Sequence, residues 1–114
     1  MKYVIQVTNG TIMPALSFNV IKNLSAIEDT EEITVVFFGP SVVSLLHHAQ
    51  LRNQLKDSLN EKTKIYVCRN AMNMFDLKDS DVPDYAAIVP VGVYEIAKLV
   101  KSGAVYIALW CVKK

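Results

Sequence analysis

The chain has 114 residues, of which 52% are hydrophobic and 20% are charged. This composition excludes an intrinsically disordered chain, and the length predicts one globular domain over residues 1–114. Twelve basic and eleven acidic residues give a net charge of +1, which provides no basis for binding nucleic acid or another polyanion.

The apolar stretches of the sequence predict neither a membrane span nor an export signal. The longest one, from Tyr85 to Val112, contains Pro90, two glycines and three charged side chains. The first residues carry one lysine and a very short apolar run, which is unlike a signal peptide. The two cysteines, Cys68 and Cys111, form no CxxC motif, so we expect free thiols in a reducing cytoplasm.

Five short runs rich in β-branched and aromatic residues follow one another along the chain, separated by segments of helical period. The runs show little alternation of apolar and polar residues, which is typical of parallel strands covered by helices on both faces. The predicted strands are Tyr3–Val7, Ile33–Phe38, Lys64–Cys68, Tyr85–Val89 and Val105–Val112.

The segments between these strands carry apolar residues at helical spacing. Alternating strands and helices predict an α/β fold of three layers, α/β/α, with a mostly parallel five-stranded sheet and right-handed crossovers. The predicted helices are Met13–Ile27, one marked by Leu51, Leu55 and Leu59 in a segment that begins as early as Ser41, Asn70–Phe75 with Asn70 as its N-cap, and one that carries Val93 to Val100 and is closed by Gly103.

Ligands of open parallel sheets bind beyond the carboxyl ends of the strands, where loops lead into helices. Each of the four such loops carries Gly, Pro or Asn. The tight turns between strands and helices explain these residues as well as a ligand site does. No loop contains a glycine motif for phosphate, so the sequence gives no support for a dinucleotide or triphosphate site.

Cys68 stands at the junction of the third predicted strand and the next helix. Free backbone N–H groups, the positive end of the helix dipole and the adjacent Arg69 favour a thiolate there, the form that attacks sulfur or carbon electrophiles. A buried and inert thiol is an equally good interpretation, because cysteine is among the most buried residue types. Cys111, inside the last apolar run, is expected to be packed and inert.

Two further groups of residues are expected to be structural. His47 and His48 point about 100° apart on a helix, and no HxxxH motif or suitably spaced carboxylate accompanies them, so no metal site is predicted. A proton donated by one of these histidines to the Cys68 loop is a weaker hypothesis. Met72, Met74 and Phe75 are expected to pack their helix rather than line a pocket.

Three segments of the chain together resemble the DsrE/DsrF-like proteins, a family of small sulfur-relay and related α/β domains. These segments are Phe38–Val42, Val67–Met72 and Ile88–Ile96, the last of which leads to Gly103–Tyr106. The resemblance implies a three-layer α/β/α fold, assembly into trimers, hexamers or related rings, and a persulfide-carrying cysteine at the position of Cys68. Many relatives have His-Gly where this chain has Phe38-Gly39, and some family members lie outside sulfur relay.

Two functions remain open at this point. In the first, the protein is a cytoplasmic sulfur carrier or sulfurtransferase without a cofactor, and Cys68 takes sulfur from a donor and passes it to the thiol of an acceptor protein. Arg69 and the amides of Asn70 and Ala71 are then expected to stabilise the anionic sulfur. The residues expected to shape the pocket are Asn9, Gly39, Pro40 and Gly92.

In the second function, the protein is a non-catalytic homo-oligomer that binds a small anion or metabolite at the same strand ends, and Cys68 is structural. The high apolar fraction, the low net charge and the lack of an acid–base constellation favour it. A flavodoxin-like cofactor domain is a more distant third interpretation.

Overall fold

The structure, a computed structural model, describes residues 1–10 and 13–109. In this part of the chain, strands alternate with helices, and a short 3-10 helix lies at Asp79–Asp81. The strands are β1 (Lys2–Val7), β2 (Glu32–Phe37), β3 (Thr63–Cys68), β4 (Ala86–Val89) and β5 (Val105–Leu109). The helices are α1 (Met13–Ser25), α2 (Pro40–His47), α3 (Ala49–Ser58), α4 (Arg69–Met74) and α5 (Gly92–Lys101).

The five strands form one parallel sheet in the order β4-β3-β2-β1-β5. The central strand, β2, is buried at every position after Glu32, because it is paired on both edges and covered on both faces. This burial explains why β2 reads as an almost continuous apolar run rather than an alternating one. The predicted α/β fold with a parallel five-stranded sheet is confirmed.

The helices are divided unequally between the two faces of the sheet. Right-handed crossovers that step from β1 to β4 place α1 to α4 on one face, and the return from β4 to β5 places α5 on the other. The larger core, under α1 to α4, includes Ile5, Ile21, Phe37, Leu45, Leu55 and Met72. The smaller core, under α5, consists of the buried residues Val4, Val36 and Ile96.

The helix predicted from Ser41 to Leu59 is wrong, because the segment forms two helices, α2 and α3. The chain is extended at His48, with φ −118° and ψ 102°, and this residue separates them. Leu46 and Leu55 are both buried, but in one straight helix their side chains would point about 180° apart. A break between them lets both side chains reach the same core.

The start of α4 also differs from the prediction. The helix begins at Arg69, and Cys68 rather than Asn70 is its N-cap residue. The backbone N–H of Asn70 donates to the carbonyl oxygen of Pro90, with an N···O distance of 3.3 Å. This bond holds the first turn of α4 against the segment that follows β4, so the helix starts where the strand ends.

Parts of the prediction lie outside the described residues. The last strand is described to Leu109, and Cys111 falls beyond that limit. Within residues 1–10 and 13–109, no helix combines the length and the apolar character that crossing a bilayer requires. The interpretation of the chain as one domain stays a prediction.

Candidate functional site

A pocket of about 200 Å³ lies at the carboxyl ends of β2, β3 and β4, on the side of the sheet where α5 begins. Its lining is mainly apolar, and none of the described residues contributes a charged side chain to it. The lining residues are Phe38, Gly39, Cys68, Asn70, Ala71, Met74, Val91, Gly92 and Val93. A pocket at the carboxyl ends of parallel strands fits the general rule for ligand sites in this kind of sheet.

Cys68 is the last residue of β3, and its side chain forms part of the pocket wall. The strand pairs in register with β4, so that Cys68 lies opposite Val89. Only 5% of the residue is exposed, and it also contacts the larger core. The thiol therefore borders the pocket while most of its surface is shielded from bulk water.

The backbone N–H of Gly92 donates a hydrogen bond to the Sγ atom of Cys68, with an N···S distance of 3.3 Å. Gly92 is the first residue of α5, and the N–H groups of a first helical turn have no acceptor within their own helix. The positive end of the α5 dipole therefore points toward the sulfur.

Position 92 has little room for a side chain because α5 begins so close to the sheet. A Cβ atom at this position would lie 3.1 Å from the Cβ of Phe38, 3.2 Å from the Cγ1 of Val36 and 3.3 Å from the Cβ of Cys68. All three distances are shorter than ordinary carbon–carbon contacts. The missing side chain thus allows the amide of α5 to reach the sulfur.

The opposite wall of the pocket is held by a turn between β2 and α2. Gly39 has a φ of 63°, a conformation that most residues with a side chain avoid. Ser41 fixes the turn, since its hydroxyl is within hydrogen-bonding distance of the carbonyl oxygens of Val7 (2.6 Å) and Phe38 (2.9 Å). These bonds anchor the segment that brings Phe38 to the pocket.

Arg69 follows Cys68 in sequence but is directed elsewhere. Both of its terminal nitrogens donate to the carboxylate of Asp79, one of them over 3.1 Å. The hydrogen bond from Arg69 lowers the pKa of Asp79, and the same bond raises the pKa of Arg69. The guanidinium is not among the groups that line the pocket, so the structure does not bring it to the sulfur as predicted.

The structure brings five of the eight predicted site residues together in the pocket wall: Cys68, Asn70, Ala71, Gly39 and Gly92. Arg69, Asn9 and Pro40 are not among its lining residues, and both Asn9 and Pro40 are exposed. The amide of Asn70 is bonded to the Pro90 carbonyl rather than to sulfur. His47 and His48 are exposed at the end of α2, and neither lines the pocket.

The sequence interpretation missed two features of this site. Gly92 was expected only to shape the pocket, but its backbone N–H also donates to the sulfur. The sequence signal for this role was the position of Gly92 after Pro90, at the start of a helix. Met74 was expected to pack its helix, but it is 72% exposed and lines the pocket, whereas Met72 is fully buried as expected. Met72 and Met74 both lie in α4, and residues two apart on a helix point about 200° apart, so only one of the two side chains faces the core.

In the described part of the chain, no three His, Cys, Asp or Glu side chains group together as metal ligands would. Among the residues that the structure describes, the pocket wall offers one thiol, one neutral amide side chain and backbone N–H groups, and Cys68 is the only one with a titratable side chain.

Comparison with known proteins defines the class to which this chain belongs. The DsrE/DsrF-like family is matched over residues 1–109, so the chain is a member of that family. The family is generally linked to sulfur relay. No curated protein sequence matches the chain.

Two solved structures are similar to this one. A protein of unknown function from Methanobacterium thermoautotrophicum has a TM-score of 0.85 at 18% identity, with 95% of this chain and 98% of that chain covered. A conserved protein of unknown function from Bacteroides thetaiotaomicron has a TM-score of 0.68 at 16% identity, with 95% and 94% covered. At these identities the likeness shows a shared fold and nothing about activity.

The contact between α5 and the sheet predicts that Gly92→Ala destabilises the protein. We expect the free energy of unfolding to fall by about 1–3 kcal/mol, because the added methyl group overfills the space beside Phe38 and Val36. Urea unfolding followed by circular dichroism measures this change. The exposed neighbour Val93, changed to Ala, should alter stability by only about 0.5 kcal/mol.

A Gly92→Ala variant that is more stable than the wild-type protein would be the opposite outcome. Alanine is a better helix former than glycine by about 1 kcal/mol, so an uncrowded position would give a more stable variant. Equal or greater stability of Gly92→Ala would contradict the close approach of α5 to Cys68.

Proposed function

We propose that this protein is a sulfur carrier that holds a persulfide on Cys68 and passes its outer sulfur to the thiol of a partner. One observation carries this proposal: the sulfur of Cys68 lies in the pocket wall and accepts a hydrogen bond from the first backbone N–H of α5. Membership in a family generally linked to sulfur relay supports it.

The proposed reaction is an exchange between sulfur atoms. The Cys68 thiolate attacks the outer sulfur of a donor persulfide, R–S–SH; the donor S–S bond breaks, and R–S⁻ leaves. Cys68 then carries S–SH, and an acceptor thiolate attacks that outer sulfur and regenerates the Cys68 thiolate. Each step forms one S–S bond and breaks another, so the proposed transfer needs no metal, organic cofactor or net oxidant.

The proposed exchange needs a donor group beside the sulfur, and α5 holds the Gly92 amide there. Arg69 does not supply that group, because its guanidinium is paired with Asp79 and does not line the pocket. A carrier that works through a free thiol fits the reducing environment of the cytoplasm, where we place it.

A second candidate function follows from the burial of the same residue. Because only 5% of Cys68 is exposed, a structural thiol in a non-catalytic binding module is the competing explanation. Alkylation of the native protein by iodoacetamide separates the two functions. A carrier thiol reacts in the folded protein, whereas a structural thiol reacts only at the rate of unfolding.

We also propose that the protein forms a homo-oligomer, either a trimer or a hexamer, through the surface around the pocket. Large apolar side chains of α4 and α5 are exposed there, and clusters of this kind mark interaction surfaces. A net charge of +1 opposes association only weakly, and proteins of this family are often oligomeric. The exposed side chains are Met74, Phe75, Val91, Val93 and Tyr94.

Persulfide loading tests the carrier function. Incubation with a persulfide donor should add the mass of one sulfur atom to the peptide that contains Cys68, as measured by mass spectrometry of intact and digested protein. Cys68→Ser should lose this addition, and circular dichroism checks that the variant is folded. Cys111→Ser, which keeps Cys68, should load like the wild-type protein. Absence of the adduct from Cys68, or undiminished loading of Cys68→Ser, would refute the carrier.

Light scattering after size exclusion tests the oligomer. We expect a particle with three or six times the 12.7 kDa mass of the chain. Tyr94→Glu should reduce that mass, because it replaces an exposed aromatic ring of the proposed contact with a charged side chain. Lys101→Gln, on the exposed end of α5, changes the net charge by the same one unit and should leave the mass unchanged. A wild-type particle of 12.7 kDa would show that this surface does not associate.

A further inference from the structure

We infer that the side-chain carboxamide of Asn70 contacts the outer sulfur of the Cys68 persulfide and holds it in position for attack by an acceptor thiolate. The inference rests on the proposed function and adds one side chain to the backbone N–H that already faces Cys68. Asn70 is then a catalytic residue, because it touches the atom that is transferred.

The outer sulfur of the persulfide needs contacts of its own. An S–S bond is about 2.05 Å long, so the added atom lies well beyond the Sγ atom. Cys68 packs against the larger core on one side and lines the pocket on the other, and the pocket is therefore the space open to the added sulfur. The N–H of Gly92 donates to Sγ itself, with an N···S distance of 3.3 Å, and leaves the outer atom to another group.

Asn70 brings a hydrogen-bonding side chain to this space. Apart from Asn70 and Cys68, the described wall residues have apolar side chains or are glycines: Phe38, Gly39, Ala71, Met74, Val91, Gly92 and Val93. A carboxamide has two N–H donors and a carbonyl acceptor. It can therefore donate to the outer sulfur as an anion and accept from it as S–H, so both protonation states find a partner.

The backbone of Asn70 is held close to Cys68. Cys68 is the N-cap of α4, and Asn70 is the second residue of that helix. The N–H of Asn70 donates to the carbonyl oxygen of Pro90 over 3.3 Å, and Pro90 lies two residues before Gly92. One hydrogen bond thus joins the segment that carries the carboxamide to the segment that carries the Gly92 amide.

The transfer step divides the work between these two groups. The acceptor thiolate attacks the outer sulfur, a new S–S bond forms, and the electron pair of the broken bond goes to Sγ of Cys68, which the Gly92 N–H contacts. The proton on the outer sulfur leaves with the acceptor as R–S–SH. Asn70 keeps the outer sulfur oriented until the bond breaks, and orientation of a reacting atom raises the rate of its transfer.

Rates of sulfur transfer from loaded protein test this role. All variants carry Cys111→Ser, and the loss of the outer sulfur from Cys68 to a small thiol is followed by mass spectrometry. We expect Asn70→Ala to transfer sulfur about tenfold more slowly, because it removes a hydrogen bond to the transferred atom. Asn73→Ala should transfer at the unchanged rate, since Asn73 is also exposed on α4 but does not line the pocket.

Two further measurements separate contact with the outer sulfur from a general effect on the site. Alkylation of the unloaded thiol by iodoacetamide involves no outer sulfur, so it should be equally fast with and without Asn70→Ala. In ¹⁵N-labelled protein, loading with persulfide should move the side-chain NH₂ resonances of Asn70 and leave those of Asn73 in place. The resonances are assigned by their absence from Asn70→Ala and Asn73→Ala.

The outcomes distinguish this inference from the carrier function. Undiminished transfer by Asn70→Ala, or Asn70 resonances that do not respond to loading, would overturn the role of Asn70 and leave Cys68 as a carrier. Equal slowing of alkylation and transfer would also overturn it, because the side chain would then affect access to Cys68. Failure of the parent protein to load at Cys68 would overturn both proposals.

Discussion

The hydrogen bond from the Gly92 amide to the sulfur of Cys68 joins the end of β3 to the start of α5, two points 24 residues apart in the chain. It depends on the parallel pairing of β3 with β4, which places Cys68 beside Val89, three residues before Gly92. It also depends on the absence of a Cβ atom at position 92. The geometry of the site is therefore a consequence of sheet register and helix approach rather than of a charged neighbour.

A backbone N–H group, rather than a cation, faces the sulfur of Cys68. The guanidinium of Arg69 is paired with Asp79, and the described residues that line the pocket carry no charged side chain. The contacts of the sulfur are therefore set by the backbone at the start of α5.

The sequence was sufficient to predict the order of elements and the position of Cys68 at the end of β3, because buried parallel strands read as apolar runs bounded by turn residues. It was not sufficient for the donors around the sulfur. Adjacency in sequence suggested Arg69, but the start of α4 directs that side chain to Asp79. The Gly92 amide reaches the sulfur because β3 pairs with β4, and pairing between strands that are distant in sequence cannot be read from local composition. The position of Met74 was also not predicted: its side chain is exposed at the end of α4 and lines the pocket.

The amide proton of Gly92 reports the interaction on which this account depends, and nuclear magnetic resonance of ¹⁵N-labelled protein measures it directly. If the amide donates to the sulfur, its resonance should move downfield as the thiol ionises with rising pH, and Cys68→Ala should abolish this movement. A Gly92 resonance at the same position in both proteins, and insensitive to pH, would contradict the account.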